Sequence, residues 1–174
     1  HGIGFSVTRI PIAASDFSQS HYSYADKPGR PDADVSPARA HMIPTLKAMR
    51  AINPGLQIIA TPWSAPAWMK ESGSLIKGRL KPDHYPDFAK YLVSYSNAMK
   101  RAGVRINLLT IQNEPHFEPG DYPGMRMEPR ERAAFIGGYL GPLMRSEIPQ
   151  VKLLDWDHNW DQPDSPTAVL SDSK

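Results

Sequence analysis

Four short runs of apolar and β-branched residues, at 5–12, 56–61, 106–111 and 151–156, are each bounded by Gly, Pro, Asn or charged positions. Runs of that length and bounding predict buried β-strands. Between them the apolar positions change to a helical period. Residues 36–52 carry Ile43, Leu46, Met49 and Arg50 at that spacing, with Ser36 as a cap, Pro37 in the first turn and Asn53-Pro54-Gly55 as a stop. Pro44 inside the run predicts a kink or a later start. The stripe Tyr85, Phe88, Tyr91, Leu92, Tyr95 and Met99 predicts a second helix, beginning after Asp83 and ending at Gly103. A third runs from Glu128 or Pro129 to Glu147, with Ala133, Ile136, Leu140 and Met144 on one side and Gly137, Gly138, Gly141 and Pro142 interrupting it.

Strands that alternate with helices predict an α/β chain of βα units around a parallel sheet. Four consecutive units amount to half of a (β/α)8 TIM barrel, whose usual size is about 250 residues. An open doubly wound sheet is the competing architecture. The chain of 174 residues has 40% apolar and 22% charged positions, which suits one globular unit, residues 1–174, with a real core. The 18 prolines fall mostly between the periodic runs, so the loops should be elaborate.

Lys and Arg total 20 against 18 Asp and Glu, and the basic residues are scattered, which argues against a nucleic-acid partner. No apolar run approaches the ~20 residues of a membrane span. The first residues lack the features of a signal peptide, so any targeting segment is expected upstream. Cysteine is absent, which removes disulfides, thiolate metal sites and a Cys nucleophile from these residues. The six His show neither H-x-H nor H-x-x-x-H spacing, so a metal-dependent barrel using His116 and His158 is disfavoured and no cofactor is expected.

In parallel α/β proteins the site forms where the strands end, because loops and helix N-termini converge there. Arg9 and Asp16 accompany the first strand, and Trp63 and Trp68 follow the second. Asn113, Glu114 and His116 follow the third, and Asp157, His158 and Trp160 the fourth. Carboxylates, an Arg and several Trp at one mouth suit a carbohydrate, whose C–H faces stack on indole while its hydroxyls meet charged side chains. Glu114, at the end of an apolar strand, is the candidate proton donor for glycoside cleavage. Pro115 is expected to hold it in an extended backbone, and Asn113 to hydrogen-bond a sugar hydroxyl. As a bare tripeptide Asn-Glu-Pro is a polar turn; its place among the other mouth residues favours catalysis. A carbohydrate-binding protein that keeps the pocket without catalysis is the alternative.

Several motifs occur in one order: Gly4-Phe5-Ser6-Val7-Thr8-Arg9-Ile10-Pro11-Ile12-Ala13, Ser15-Asp16-Phe17, Thr61-Pro62-Trp63-Ser64-Ala65-Pro66-Ala67-Trp68-Met69-Lys70 and Thr110-Ile111-Gln112-Asn113-Glu114-Pro115. With them the chain resembles glycoside hydrolase family 30, which includes glucosylceramidases and β-1,6-glucanases. The resemblance implies a retaining β-glycosidase with Glu114 as acid/base and Arg9, Asp16, Trp63 and Asn113 in the −1 subsite. Asp157, a further substrate-binding candidate, matches together with His158 a loop near the site. It also implies a carbohydrate or glycolipid substrate and a secreted or extracytoplasmic setting. In that family the nucleophilic Glu follows the seventh strand. The chain is therefore expected to hold strands two to five, to need the remainder of the barrel as its partner, and to be inactive alone.

Overall fold

The four apolar runs pair as one parallel sheet in the order β1-β2-β3-β4. The strands are β1 Val7–Ile12, β2 Gln57–Pro62, β3 Leu108–Thr110 and β4 Lys152–Leu154. The computed structural model describes residues 3–172; His1, Gly2, Ser173 and Lys174, the ends of the expected unit, lie outside the described residues. Arg9 pairs in register with Ile59, Ile59 with Leu108, and Leu108 with Lys152. Because side chains alternate along a strand, Ile10, Ile12, Ile58, Ala60 and Leu109 enter the core on one face, whereas Arg9, Thr61 and Thr110 belong to the other. One face is thus apolar and covered by helices, and the other gathers polar groups.

The third and fourth strands are shorter than expected. Asn107 marks one end: its Oδ1 accepts the N–H of Ile58 at 3.0 Å and an Arg50 Nη2 hydrogen at 2.7 Å, while its own N–H and C=O keep backbone bonds to Ile58 and Lys152.

The second expected helix is α2, Tyr85–Arg101, whose stripe of Phe88, Tyr91, Leu92, Tyr95 and Met99 is buried against the sheet. It ends in a Schellman arrangement, with Gly103 N–H on Lys100 O at 2.9 Å and Val104 N–H on Met99 O at 2.9 Å. Gly103 takes φ +85°, a conformation open to glycine at little cost.

The first expected helix is corrected. Residues 36–52 divide into a 3₁₀ turn, Ser36–Arg39, and α1, Met42–Ile52. Ser36 is not the cap; its own N–H is held by Asp34 Oδ1 at 2.9 Å. Pro44 is then the third residue of α1, where its missing N–H has no intrahelical partner to lose. The glycines of the third run also leave a mark. It breaks into α3, Pro129–Phe135, a π turn, Ile136–Leu140, and α4, Gly141–Glu147. A Cβ on Gly141 would stand 2.8 Å from the Ile136 carbonyl oxygen, so the turn needs glycine there. One further helix, α5, Asp164–Leu170, carried too few apolar positions to announce itself in the sequence.

Between β2 and α2 the chain is tied down by a buried lysine. Lys70 Nζ donates to Ser64 Oγ at 2.9 Å, Leu75 O at 3.0 Å and Gly124 O at 2.8 Å, three acceptors for three hydrogens. All three are neutral. Burial pushes the ammonium down to about 7, while the charge of Glu118 works the other way. The unfolded chain holds this proton up to about pH 10.4, so between pH 7 and 10 it binds more protons than the native state. Stability should therefore rise with pH through that window, with a slope approaching 1.4 kcal/mol per pH unit, about what one proton supplies. Urea midpoints from pH 6.5 to 9.5 check this. Lys70→Met should flatten the slope, and equal slopes in both proteins would remove Lys70 as its source.

Candidate active site

The polar face of the sheet converges on one carboxylate oxygen. Arg9, in β1, reaches Asp157 Oδ2 through Nη2 at 2.7 Å and Nε at 3.3 Å. Thr61, near the end of β2, and Thr110, the last residue of β3, donate to the same oxygen at 2.9 Å each. Arg9 pairs with Ile59, two residues below Thr61, and its long side chain covers that rise. Its Nη2 also donates to Asn113 Oδ1 at 2.6 Å, and its guanidinium lies 4.8 Å from the ring centre of Trp63.

Both sides of Glu114 are pinned by backbone bonds. Asn113 N–H donates to Pro62 O at 2.8 Å and Glu114 N–H to Asp157 O at 2.9 Å. Beyond it, Glu114 O accepts Phe117 N–H and Pro115 O accepts Met127 N–H, both at 2.8 Å. Gln112, fully buried, donates its Nε2 to Trp63 O at 2.7 Å and so joins the ends of β2 and β3.

The expectation of an extended Glu114 is corrected: its φ is +43°, in the left-handed region. Such a conformation costs a non-glycine residue on the order of 1–3 kcal/mol. Four backbone hydrogen bonds, worth roughly 1 kcal/mol each, outweigh both that cost and the preference imposed by Pro115. Ala13, just past β1, is left-handed too, at φ +66°. Strained residues thus mark two strand ends at the same face.

The structure brings together Arg9, Trp63, Asn113, Glu114 and Asp157, while Asp16 stands apart. Asp16 is exposed, and its link to the cluster is Tyr122, a residue that carried no signal in the sequence. The Tyr122 hydroxyl is pushed up by desolvation first and then by the negative charges of Glu114, Asp16 and Asp121. Trp68 belongs elsewhere: its Nε1–H is on Ala25 O at 2.8 Å and its ring meets His84 edge-on. Trp160 is 96% exposed.

Past β4 the sequence conceals a second network. Arg132 of α3 is fully buried, with Nε on Asp155 Oδ1 at 2.8 Å, Nη1 on Met127 O at 3.0 Å and Nη2 on Ser165 Oγ at 2.8 Å. Its guanidinium lies 5.2 Å from the Trp156 ring centre. Trp156 separates two imidazoles, His116 at 5.1 Å and His158 at 5.3 Å between ring centres. His116 Nδ1 lies 2.8 Å from Gln162 Oε1, while His158 faces Glu114. Among the described residues no group of three or more His, Asp or Glu side chains is placed to hold a metal ion. None of the described helices is long and apolar enough to cross a membrane.

Residues 1–174 match, from end to end, the model of the glycosyl hydrolase family 30 TIM-barrel domain. The chain belongs to glycosyl hydrolase family 30. The endo-1,6-beta-D-glucanase of Neurospora crassa is 36% identical over 180 residues, covering 98% of this chain and 38% of that protein. The solved structure of the endo-β1,6-glucanase BT3312 superposes with a TM-score of 0.92 at 36% identity, over 99% of this chain and 41% of its own. The lysosomal acid glucosylceramidase of Mus musculus is 28% identical over 174 residues, 90% of this chain and 33% of that protein. The family 30 chain thus spans about two fifths or less of the length of these relatives. Its four-stranded parallel sheet is part of a TIM barrel, and the Arg9–Asp157–Asn113 cluster lies at the carboxyl ends of the strands, where barrel enzymes place their chemistry.

Proposed function

We propose that this chain supplies the proton donor and part of the −1 sugar pocket of a retaining β-glycosidase that cleaves β-1,6-linked glucan. The observation that carries this is Glu114, pinned in a left-handed backbone at the end of β3, beside an Asn113 whose amide oxygen is already occupied by Arg9. Since Oδ1 accepts from Arg9, Asn113 has its Nδ2 hydrogens left to donate, which suits the hydroxyl next to the reacting carbon. Glu114 gives its proton to the departing oxygen as a nucleophilic carboxylate attacks the anomeric carbon. By the family resemblance that carboxylate comes from a later strand, outside residues 1–174, which complete the barrel with the remainder of the enzyme. Water then displaces it, and the Glu114 carboxylate takes the proton from the water.

Trp63 walls the pocket behind Arg9, and Asp16 accepts from sugar hydroxyls across Tyr122. Asp157 acts through Arg9: four hydrogen bonds end on its Oδ2, so it positions the guanidinium and leaves the sugar to Asn113. β-1,6-Glucan is favoured over glucosylceramide because the two glucanases are 36% identical to the chain and the glucosylceramidase 28%. Acting on a polymer, the enzyme works outside the cytoplasm.

The test is hydrolysis of β-1,6-glucan by the whole enzyme, followed by proton NMR. The first hemiacetal released should be the β anomer, with the α form growing in by mutarotation. An α anomer appearing first, or no turnover of the glucan, would overturn the proposal.

A further inference from the structure

His158 follows Asp157 directly, and the pair holds Glu114 from two sides. The Asp157 carbonyl accepts the Glu114 N–H, and His158 Nε2 stands 3.9 Å from Glu114 Oε1. That separation is longer than a hydrogen bond, and distances of this kind in an empty site tighten once substrate is bound. No hydrogen bond among the described residues ends on the Glu114 carboxylate. The His158 side chain is 10% exposed, against 37% for Glu114. Its Nδ1 is buried with no hydrogen-bond partner.

That orphaned nitrogen decides the form of the ring. A buried N–H without an acceptor is rarer in native structures than an acceptor left short of donors, so the hydrogen belongs on Nε2 and the lone pair on Nδ1. A second proton, on Nδ1, would add a buried donor without a partner among the described residues. The other charged groups nearby are engaged elsewhere. Asp157 is bound to Arg9, Arg132 to Asp155 on the far side of Trp156, and His116 faces Gln162. Tyr122, with Asp16 and Asp121 near it, is adjacent to Glu114. The Trp156 ring, 5.3 Å away and steeply inclined at 78°, fixes the plane of the imidazole.

We infer that His158 is a positioning residue that acts as a neutral, fixed donor, offering its Nε2–H to the Glu114 carboxylate once Glu114 has passed its proton to the departing oxygen. The proposal rests on Glu114 being the acid/base. No proton leaves the imidazole; the hydrogen bond forms as the carboxylate becomes charged and loosens when the carboxylate takes a proton from the attacking water. An interaction made only with the charged form makes Glu114 a readier donor.

The alkaline limb of the kcat profile of the whole enzyme reads this directly, since kcat reports ionisations in the substrate complex and that limb marks loss of the donor's proton. With phenyl β-glucoside, His158→Leu should move the limb up by about one pH unit, roughly the worth of one hydrogen bond to a charged group. His158→Gln, which keeps an N–H near the same place, should leave it within about 0.3 units. The acid limb should stay put in both. A limb that does not move in His158→Leu, or that moves equally in both variants, overturns the proposal. Should His158→Leu fail to fold, histidine-selective nitrogen-15 NMR of the wild-type enzyme decides: a neutral Nε2–H ring through the active pH range supports it, and an imidazolium or Nδ1–H ring overturns it. Whether Glu114 is the acid/base at all is read separately, from the leaving-group dependence of Glu114→Gln.

Discussion

Glu114→Gln in the whole enzyme is expected to lower kcat/KM for phenyl β-glucoside about a thousandfold, and for a dinitrophenyl β-glucoside about tenfold or less. The first figure corresponds to about 4 kcal/mol of lost transition-state stabilisation. The contrast follows from chemistry. A phenol must be protonated as it departs, whereas a dinitrophenolate leaves unaided. Replacing the carboxyl by an amide keeps the shape of the side chain and the four backbone bonds around it, so the pocket stays formed while the proton is removed. With the dinitrophenyl substrate the covalent intermediate should then accumulate, because no base activates water. Azide, which needs no base, should restore turnover and yield the β-glycosyl azide. Equal losses on both substrates would take Glu114 out of the acid/base role.

Arg132→Met is expected to remove about 3–5 kcal/mol of stability, the usual consequence of taking one partner from a buried ion pair. Arg132 is fully buried and Asp155 is 13% exposed, so solvent does little to screen the loss. The substitution also removes the donors that Arg132 gives to the Met127 and Ser165 carbonyls and to the Ser165 hydroxyl, the link between α3 and α5. The deficit should depend on pH. Burial already raises the Asp155 carboxyl above its ordinary value even against the pull of Arg132. Without Arg132 it rises further, so the native state holds the proton more strongly than the unfolded one. Stability from that group is then present at low pH and lost as pH climbs, and the gap to wild type should narrow toward pH 4. Urea midpoints at pH 7 and 4.5 measure it; a gap that is constant, or smaller than about 1 kcal/mol, would show that the pair contributes like a surface one.

The sheet was legible because buried strands carry their apolar character in consecutive residues, and α2 because its stripe is unbroken from Tyr85 to Met99. The ends of elements were less so. Ser36 has the chemistry of a cap, yet it is the first residue inside the 3₁₀ turn and its N–H is held by Asp34, a placement that spacing alone does not give. Glu114 and Asn113 could be singled out because they follow a strand directly. Asp16 was picked by its place after the first strand and by resemblance, and it stands apart from the cluster on a loop whose path no local pattern encodes. Tyr122, Arg132 and the approach of His158 to Glu114 were not legible. Each depends on residues 8 to 44 positions away in the chain, Glu114, Asp155 and Glu114 again, meeting only once the strands are aligned. The extended Glu114 failed for a related reason: a dipeptide preference was overruled by partners at Asp157 and Met127.

The left-handed backbone at Glu114 sets stability and selection against each other. At φ +43° the residue that fits best is glycine. A library sorted only for heat resistance would therefore tend to replace Glu114, gaining a relaxed turn at the expense of the carboxyl that the proposed mechanism needs. On that reading, a glutamate kept there holds turnover above rigidity, and hardiness gained at that position would come with lost function.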